Sequence, residues 1–242
     1  PCDESLQCQP RSFAVSNLSE STHASWPLAL LFDMDLTLIR SRHFWRAAEQ
    51  TLLKHLGLDP QMDVHHCYNG MHAIDAGKAM HQLLKPDVSV DECVRVFRDA
   101  LIQQFQTQPI EAMPGAVDLV QRYAGKLPMA IASGSPAEGI HAAAKALGII
   151  EHLDVAISGE AVTHGKPAPD VFLEAARLLG MNPKDCVVFE DSVTSATAAV
   201  RAGIACIVVP DEAIENFGDL PVHFVASLDA VDDALLAKVH ES

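Results

Sequence analysis

No apolar run in the chain approaches the ~20 residues that cross a bilayer, so a membrane-spanning helix is excluded. Positive charge is scarce. Lys and Arg number 17 against 32 Asp and Glu, for a net charge of −15. That balance argues against nucleic acid or an anionic membrane surface as the main partner. It also sets an unfavourable mean field for any anionic ligand, which local cations must overcome. The six cysteines, Cys2, Cys8, Cys67, Cys93, Cys186 and Cys206, include no CxxC pair and no spacing that suggests a disulfide framework. Cys186 and Cys206 open apolar runs, where small buried thiols are common, so the core cysteines are expected to be reduced and structural. Residues 1–26 are polar and Ser-rich with no apolar h-region, which excludes an intact secretory signal. Beginning at Pro1, this stretch is expected to be a surface-draped extension of a cytoplasmic protein. There is no internal repeat and no low-complexity tract. His65, His66, Cys67 and His72 lack a second ligand pair at a standard zinc spacing. They are expected to pack on the surface or to line a ligand entrance with Trp45 and Tyr68.

What remains is a chain of 242 residues, 49% hydrophobic and 20% charged, which suits one large or two modest globular domains. Leu28-Ala29-Leu30-Leu31-Phe32 reads as a buried strand. Residues 44–107 then look helical. Phe44, Ala48, Leu52 and Leu56 form one apolar stripe, with a stop at Gly57. Ser89 and Glu92 fit a capping box before a second long helix carrying Val94, Phe97, Leu101, Ile102 and Phe105 at helical spacing. From residue 115, helices and short apolar runs alternate. Helices are expected at 116–123, from the Ser135-Pro136 entry to Leu147, at 169–179 and at 192–202, and strands at 129–132, 155–157, 186–189 and 205–209. At that helix entry Ser135 reads as the N-cap, Pro136 as the first-turn proline and Glu138 as the box partner. This rhythm predicts an α/β fold: a three-layer, Rossmann-like parallel sheet core with an inserted α-helical cap domain. The expected divisions are an N-terminal extension at 1–26, a core at 27–43 and 112–242, and a cap at 44–111, hinged near 40–44 and 108–114.

Four polar fragments sit at the ends of the apolar runs. Asp33 and Asp35 lie two residues apart just past the first, where open α/β sheets place their chemistry. One carboxylate of such a pair can attack while the other trades protons; read alone, the pair is better taken as a structural feature, an Asp-rich turn or a helix cap. Ser133-Gly134-Ser135 follows the second run, and alone is merely a helix entry. Lys166 stands in Gly165-Lys166-Pro167, and a lone lysine is usually a solvated charge. Glu190-Asp191-Ser192 follows Val187-Val188-Phe189.

Carboxylate pair, hydroxyl, lysine and acidic pair in this order resemble the haloacid dehalogenase superfamily, and within it the β-phosphoglucomutase-like phosphatases, over about residues 27–240. The resemblance implies a phosphatase in which Asp33 is the nucleophile of an aspartyl-phosphate route. Asp35 protonates the leaving alkoxide and then deprotonates water. Thr37, Ser133, Gly134 and Lys166 bind the phosphate, and Thr37 also orients the motif loop by hydrogen bonding. Mg²⁺ is the implied cofactor, held by Asp33, Asp191, the backbone carbonyl of Asp35 and Glu190, the last directly or through water. The implied partner is a small phosphorylated metabolite such as a sugar or polyol phosphate, bound by a monomer or weak homodimer. The chain departs from the pattern in three places. Leu36 stands where the family most often has glycine. Trp45 stands twelve residues after the nucleophile, where β-phosphoglucomutase has a histidine. Asn69-Gly70-Met71-His72-Ala73 lacks that enzyme's basic pair. A phosphomutase and a non-catalytic phosphometabolite-binding protein are the alternatives, the latter favoured by Leu36.

Overall fold

In the computed structural model, which describes residues 27, 29–68, 70–210 and 216–241, the apolar runs assemble into one parallel sheet. The expected extension at 1–26 lies outside the described residues. The strands are β1 (Ala29–Phe32), β2 (Met129–Ser133), β3 (Val155–Ser158), β4 (Cys186–Glu190), β5 (Ala205–Val208) and β6 (His223–Phe224), in the order β3-β2-β1-β4-β5-β6. The sheet is covered on both faces, which is why its central strands read as unbroken apolar runs rather than alternating ones. β1 is central, pairing Leu30 with Met129 on one side and with Val187 on the other.

Alternation along the strands divides the core by side-chain size. Leu30, Phe32, Ile131, Val187, Phe189 and Ile207 face one layer, where the Phe32 and Phe189 rings stack at 4.9 Å. That layer holds α4 (Ala116–Tyr123), α5 (Ala137–Ala146) and α8 (Asp233–His240). Ala29, Leu31, Ala130, Ala132, Cys186, Val188 and Cys206 face the other layer, under α6 (Asp170–Leu179) and α7 (Val193–Arg201). The small residues on this face let those helices approach closely. Cys93, Cys186 and Cys206 are buried free thiols, and Cys67 is a half-buried one.

Between β1 and β2 the chain leaves the sheet and builds a helical cap from α1 (Arg42–His55), α2 (Ala73–Leu84) and α3 (Val90–Thr107), with α1 and α2 both packed on α3. Phe44, Ala48 and Leu52 form the buried stripe of α1, and Phe97, Leu101 and Phe105 that of α3. Only half of the expected capping box closes. The Ser89 hydroxyl accepts from the Glu92 N–H at 3.2 Å, but the Glu92 carboxylate pairs with His55 Nε2 at 2.8 Å instead. The stretch expected to be wholly helical is also broken between α1 and α2, where the described residues hold one 3₁₀ turn (His65–Cys67) among turns at Gly57 and Gly70. The two chain crossings into the cap pair with each other: Arg40 N–H donates to Glu111 C=O and Met113 N–H to Leu38 C=O, both at 2.9 Å.

Candidate active site

The sheet order reverses at β1, so the crevice beyond its C-terminal end lies where ligands of open α/β sheets bind. Asp33 leaves that end, tied to the neighbouring strand by a 2.9 Å bond from its N–H to Phe189 C=O. Lys166 enters from the loop before α6 and sets its ammonium 2.6 Å from both Asp33 Oδ1 and Glu190 Oε1. All three side chains are buried, and the Phe172 ring lies 4.7 Å beneath the ammonium. Glu190 Oε2 accepts from the N–H of Asp191 at 3.1 Å.

This arrangement is charged against the grain of its surroundings. Burial opposes the Lys166 charge, but Asp33 and Glu190 outweigh it and hold the ammonium pKa above its ordinary value. Burial pushes the Asp33 carboxyl well up; Lys166 opposes that, while Glu190 and Asp35 add to it. Burial, then Glu190 and Asp33, push Asp191 up as well. Carboxylates therefore outnumber the one lysine, and the site has an electrostatic demand for another cation. Asp33, Glu190 and Asp191 each offer an oxygen within 4.8 Å of the others. An all-oxygen donor set of this kind suits a hard divalent cation.

Asp35 is held from two directions. Its Oδ1 accepts from the Trp45 indole N–H at 2.9 Å, and its Oδ2 from the hydroxyls of Ser133 at 3.1 Å and Ser135 at 2.7 Å. The intervening loop is tight, with Leu38 N–H and Ile39 N–H both donating to Met34 C=O. Leu36 takes φ of 59°, a left-handed conformation that glycine adopts most easily. A leucine thus occupies the backbone conformation for which the family's usual glycine is suited.

The cap closes over these groups. A cleft lined by Asp33, Asp35, Leu36, Trp45, His65, Tyr68, Met71, Gly134, Lys166 and Asp191 leaves about 70 Å³ for the centres of water-sized molecules. Glycines set the closeness of approach. A Cβ on Gly134 would lie 3.0 Å from Met71 C=O, and one on Gly165 would run into the His72 ring. Arg98 of α3 bridges to Glu160 at 2.9 Å and to Glu138 at 3.0 Å on the core side. His72 caps α2, its Nδ1 accepting from Asp75 N–H at 3.3 Å and its Nε2 meeting Asp75 Oδ2 at 3.0 Å.

Of the residues singled out in the sequence, Asp33, Asp35, Ser133, Lys166, Glu190 and Asp191 converge here, and Gly134 lines the cleft. Thr37 does not join them. It is fully buried, its hydroxyl has no hydrogen-bond partner among the described residues, and it is absent from the cleft lining, so neither the expected phosphate contact nor the loop-orienting hydrogen bond is seen there. The expected N-cap role of Ser135 is also corrected. α5 starts behind Pro136 with no side-chain cap, Ser135 turns to Asp35, and Glu138 turns to Arg98. Ser135 as a partner of Asp35 was missed in the sequence, where Ser-Pro at a helix entry argued for capping. Trp45 carried a signal in standing where a relative has a polar ring, but its indole hydrogen bond needed the fold.

Comparison with known proteins agrees with this geometry. The model of the haloacid dehalogenase-like hydrolases matches residues 28–203. Fructose-1-phosphate phosphatase YqaB of Escherichia coli is 32% identical over 178 residues, covering 74% of this chain and 94% of that protein. Validoxylamine A 7'-phosphate phosphatase of Streptomyces hygroscopicus is 32% identical over 179 residues, covering 73% and 83%. Among solved structures, β-phosphoglucomutase of Clostridium difficile superposes with a TM-score of 0.75 at 17% identity, covering 88% of this chain and 97% of that one. CbbY of Rhodobacter sphaeroides does so at 0.74 and 23%, covering 84% and 96%. At those identities the structures attest the fold, capped sheet included. The chain belongs to the haloacid dehalogenase-like hydrolases.

Proposed function

We propose that the protein is a Mg²⁺-dependent phosphatase that hydrolyses a small sugar or polyol phosphate through an aspartyl-phosphate on Asp33. One observation carries this reading. At the end of the central strand, a buried carboxylate touching a buried lysine stands beside a second carboxylate whose partners among the described residues are neutral donors. In the first half-reaction an Asp33 oxygen bonds to phosphorus, the ester P–O bond breaks, and the leaving alkoxide takes a proton from Asp35. In the second, Asp35 takes a proton from water as the water oxygen bonds to phosphorus and the Asp33 acyl-phosphate bond breaks. Lys166, the Ser133 hydroxyl and the backbone beside Gly134 meet charge on the phosphoryl oxygens. Asp33, Asp191 and the Asp35 carbonyl would hold Mg²⁺. Glu190, whose two carboxylate oxygens already accept from Lys166 and Asp191, would support it directly or through water. Bound there, the ion supplies positive charge against the crowded carboxylates and phosphate. The substrate class rests on the names of relatives, fructose-1-phosphate phosphatase and hexitol phosphatase A of Escherichia coli among them. The cap excludes bulk water and selects the leaving group.

The test is phosphate release from a panel of sugar, polyol and other metabolite phosphates, with and without Mg²⁺, beside Asp33→Asn. Metal-dependent release that vanishes in the variant is expected. Wild-type turnover by Asp33→Asn would overturn the nucleophile assignment.

A further inference from the structure

Trp45 is the one cap side chain among the described hydrogen-bond partners of Asp35; the other two, Ser133 and Ser135, belong to the end of β2 and the turn after it. Its ring is not free to follow Asp35. It stacks on Tyr68 at 6.1 Å and packs on Phe97 at 5.9 Å. Tyr68 is anchored in turn by a 2.8 Å bond from its hydroxyl to the buried Glu49. The aim of the indole N–H is therefore set by cap packing, while the position of Asp35 is set by the core. The two meet only when the cap lies where it lies here.

The chemistry of the donors then distinguishes the two oxygens of Asp35. An indole N–H donates, cannot accept and does not titrate. The oxygen facing Trp45 cannot carry a proton along that contact. The oxygen facing Ser133 and Ser135 can, because a hydroxyl rotates to accept as readily as it donates. Under the proposed reading Ser133 is also wanted by the substrate phosphate. When that phosphate draws the Ser133 hydroxyl away, Trp45 and Ser135 remain to hold the carboxylate.

We propose that Trp45 is a positioning residue for proton transfer. Through its indole N–H it fixes Asp35 only in the closed cap, and so directs the transferred proton to the serine-facing oxygen. This rests on the reading of Asp35 as the proton-transfer group. In the step concerned, the ester P–O bond and the Asp35 O–H bond break, and the proton passes to the departing alkoxide. With a leaving group that departs as a stable anion, that transfer matters little.

The experiment uses Trp45→Phe in the full chain, which keeps a ring in the aromatic cluster and removes the donor. The ratio kcat/KM is measured for the best alkyl phosphate of the panel and for p-nitrophenyl phosphate, since it reports steps only through departure of the leaving group. The alkyl ester should lose about 10-fold or more and the aryl ester about twofold, within the range of general acid catalysis. An equal loss on both esters, the mark of a packing role, or no loss on either would overturn the proposal. A second readout is independent of turnover. The chain has two tryptophans, so in Trp26→Phe protein all indole emission comes from Trp45, and adding Asp35→Ala should shift it. Unchanged emission would overturn the contact itself. Absence of phosphate release by the wild type from every ester would sink the phosphatase reading and this role with it, while the emission would still show whether the contact stands.

Discussion

Replacing Lys166 with methionine tests the electrostatics of the site most directly. The ammonium touches Asp33 and Glu190 at 2.6 Å each, and all three side chains are buried. Methionine approximates the lysine stem and packs acceptably on the Phe172 ring, so the cavity cost is small. What remains is the cost of stranding buried charge. Removing one partner of a buried ion pair costs about 3–5 kcal/mol. For a chain of this size each kcal/mol moves the melting point by about 2–4 °C, so the variant should melt about 6–20 °C below wild type in chelator. Adding Glu190→Gln removes one of the stranded charges and should recover part of that loss. Saturating Mg²⁺ should also recover part of it by supplying a cation. The Lys166 pKa is raised in the fold, so its contribution is complete below the unfolded lysine value of about 10.4 and fades only as pH rises through the folded one. Lysine titration therefore leaves the deficit constant between about pH 6 and 9. Thermal melts followed by circular dichroism in EDTA and in Mg²⁺ read all three effects. A single variant melting within about 2 °C of wild type in EDTA would refute the reasoning.

Three further outcomes follow from contacts around the cleft. Gly165→Ala sets a methyl against the His72 ring, which Asp75 holds, so the cap must give way; kcat/KM should fall about 10-fold or more with the melting point little changed, and unaltered kinetics would deny that this approach sets closure. Burial lowers the His72 pKa, with Asp75 and Glu160 opposing, so the fold favours the neutral ring and stability is full above about pH 6.5 and lost as pH falls below it. His72→Asn keeps an acceptor for the α2 cap without titrating, so its stability deficit, read from urea midpoints, should narrow from pH 7.5 to 5.5; a constant deficit would contradict the burial argument. Leu36→Gly relieves about 1–2 kcal/mol of left-handed strain and costs about 0.5–1 kcal/mol in chain freedom, so it should melt at or slightly above wild type; a loss beyond about 2 kcal/mol would mean that the leucine side chain, not the backbone, shapes the loop.

The convergence of the candidate site at one sheet edge was legible because a doubly covered parallel sheet writes its strands as apolar runs and sets the polar residues of that edge immediately after them. Asp33, Ser133 and Glu190 each stand at such an end. Elements that rest on tertiary contact were not legible. β6 is two residues long and carries no period, and α8 follows it on a face that only the sheet defines. The competition for Ser135 between a helix cap and Asp35 was decided by a carboxylate one hundred positions away. Thr37 shows the converse, since a residue that fits a motif by position was drawn into the interior by the turn between Met34 and Ile39.

The paired crossings between core and cap limit the motions open to the enzyme. Because Arg40 bonds to Glu111 and Met113 to Leu38, the outgoing and returning chains form a narrow two-stranded ribbon rather than two separate tethers. Such a ribbon resists sliding of one chain past the other, which would break both bonds, but bends and twists about its own length with both intact. A cap rotation that kept both bonds would turn about an axis along this ribbon, rooted a few residues from Asp35. A side chain far out on α3 sweeps a long arc in that rotation, while Trp45, close to the pivot, moves through a short one.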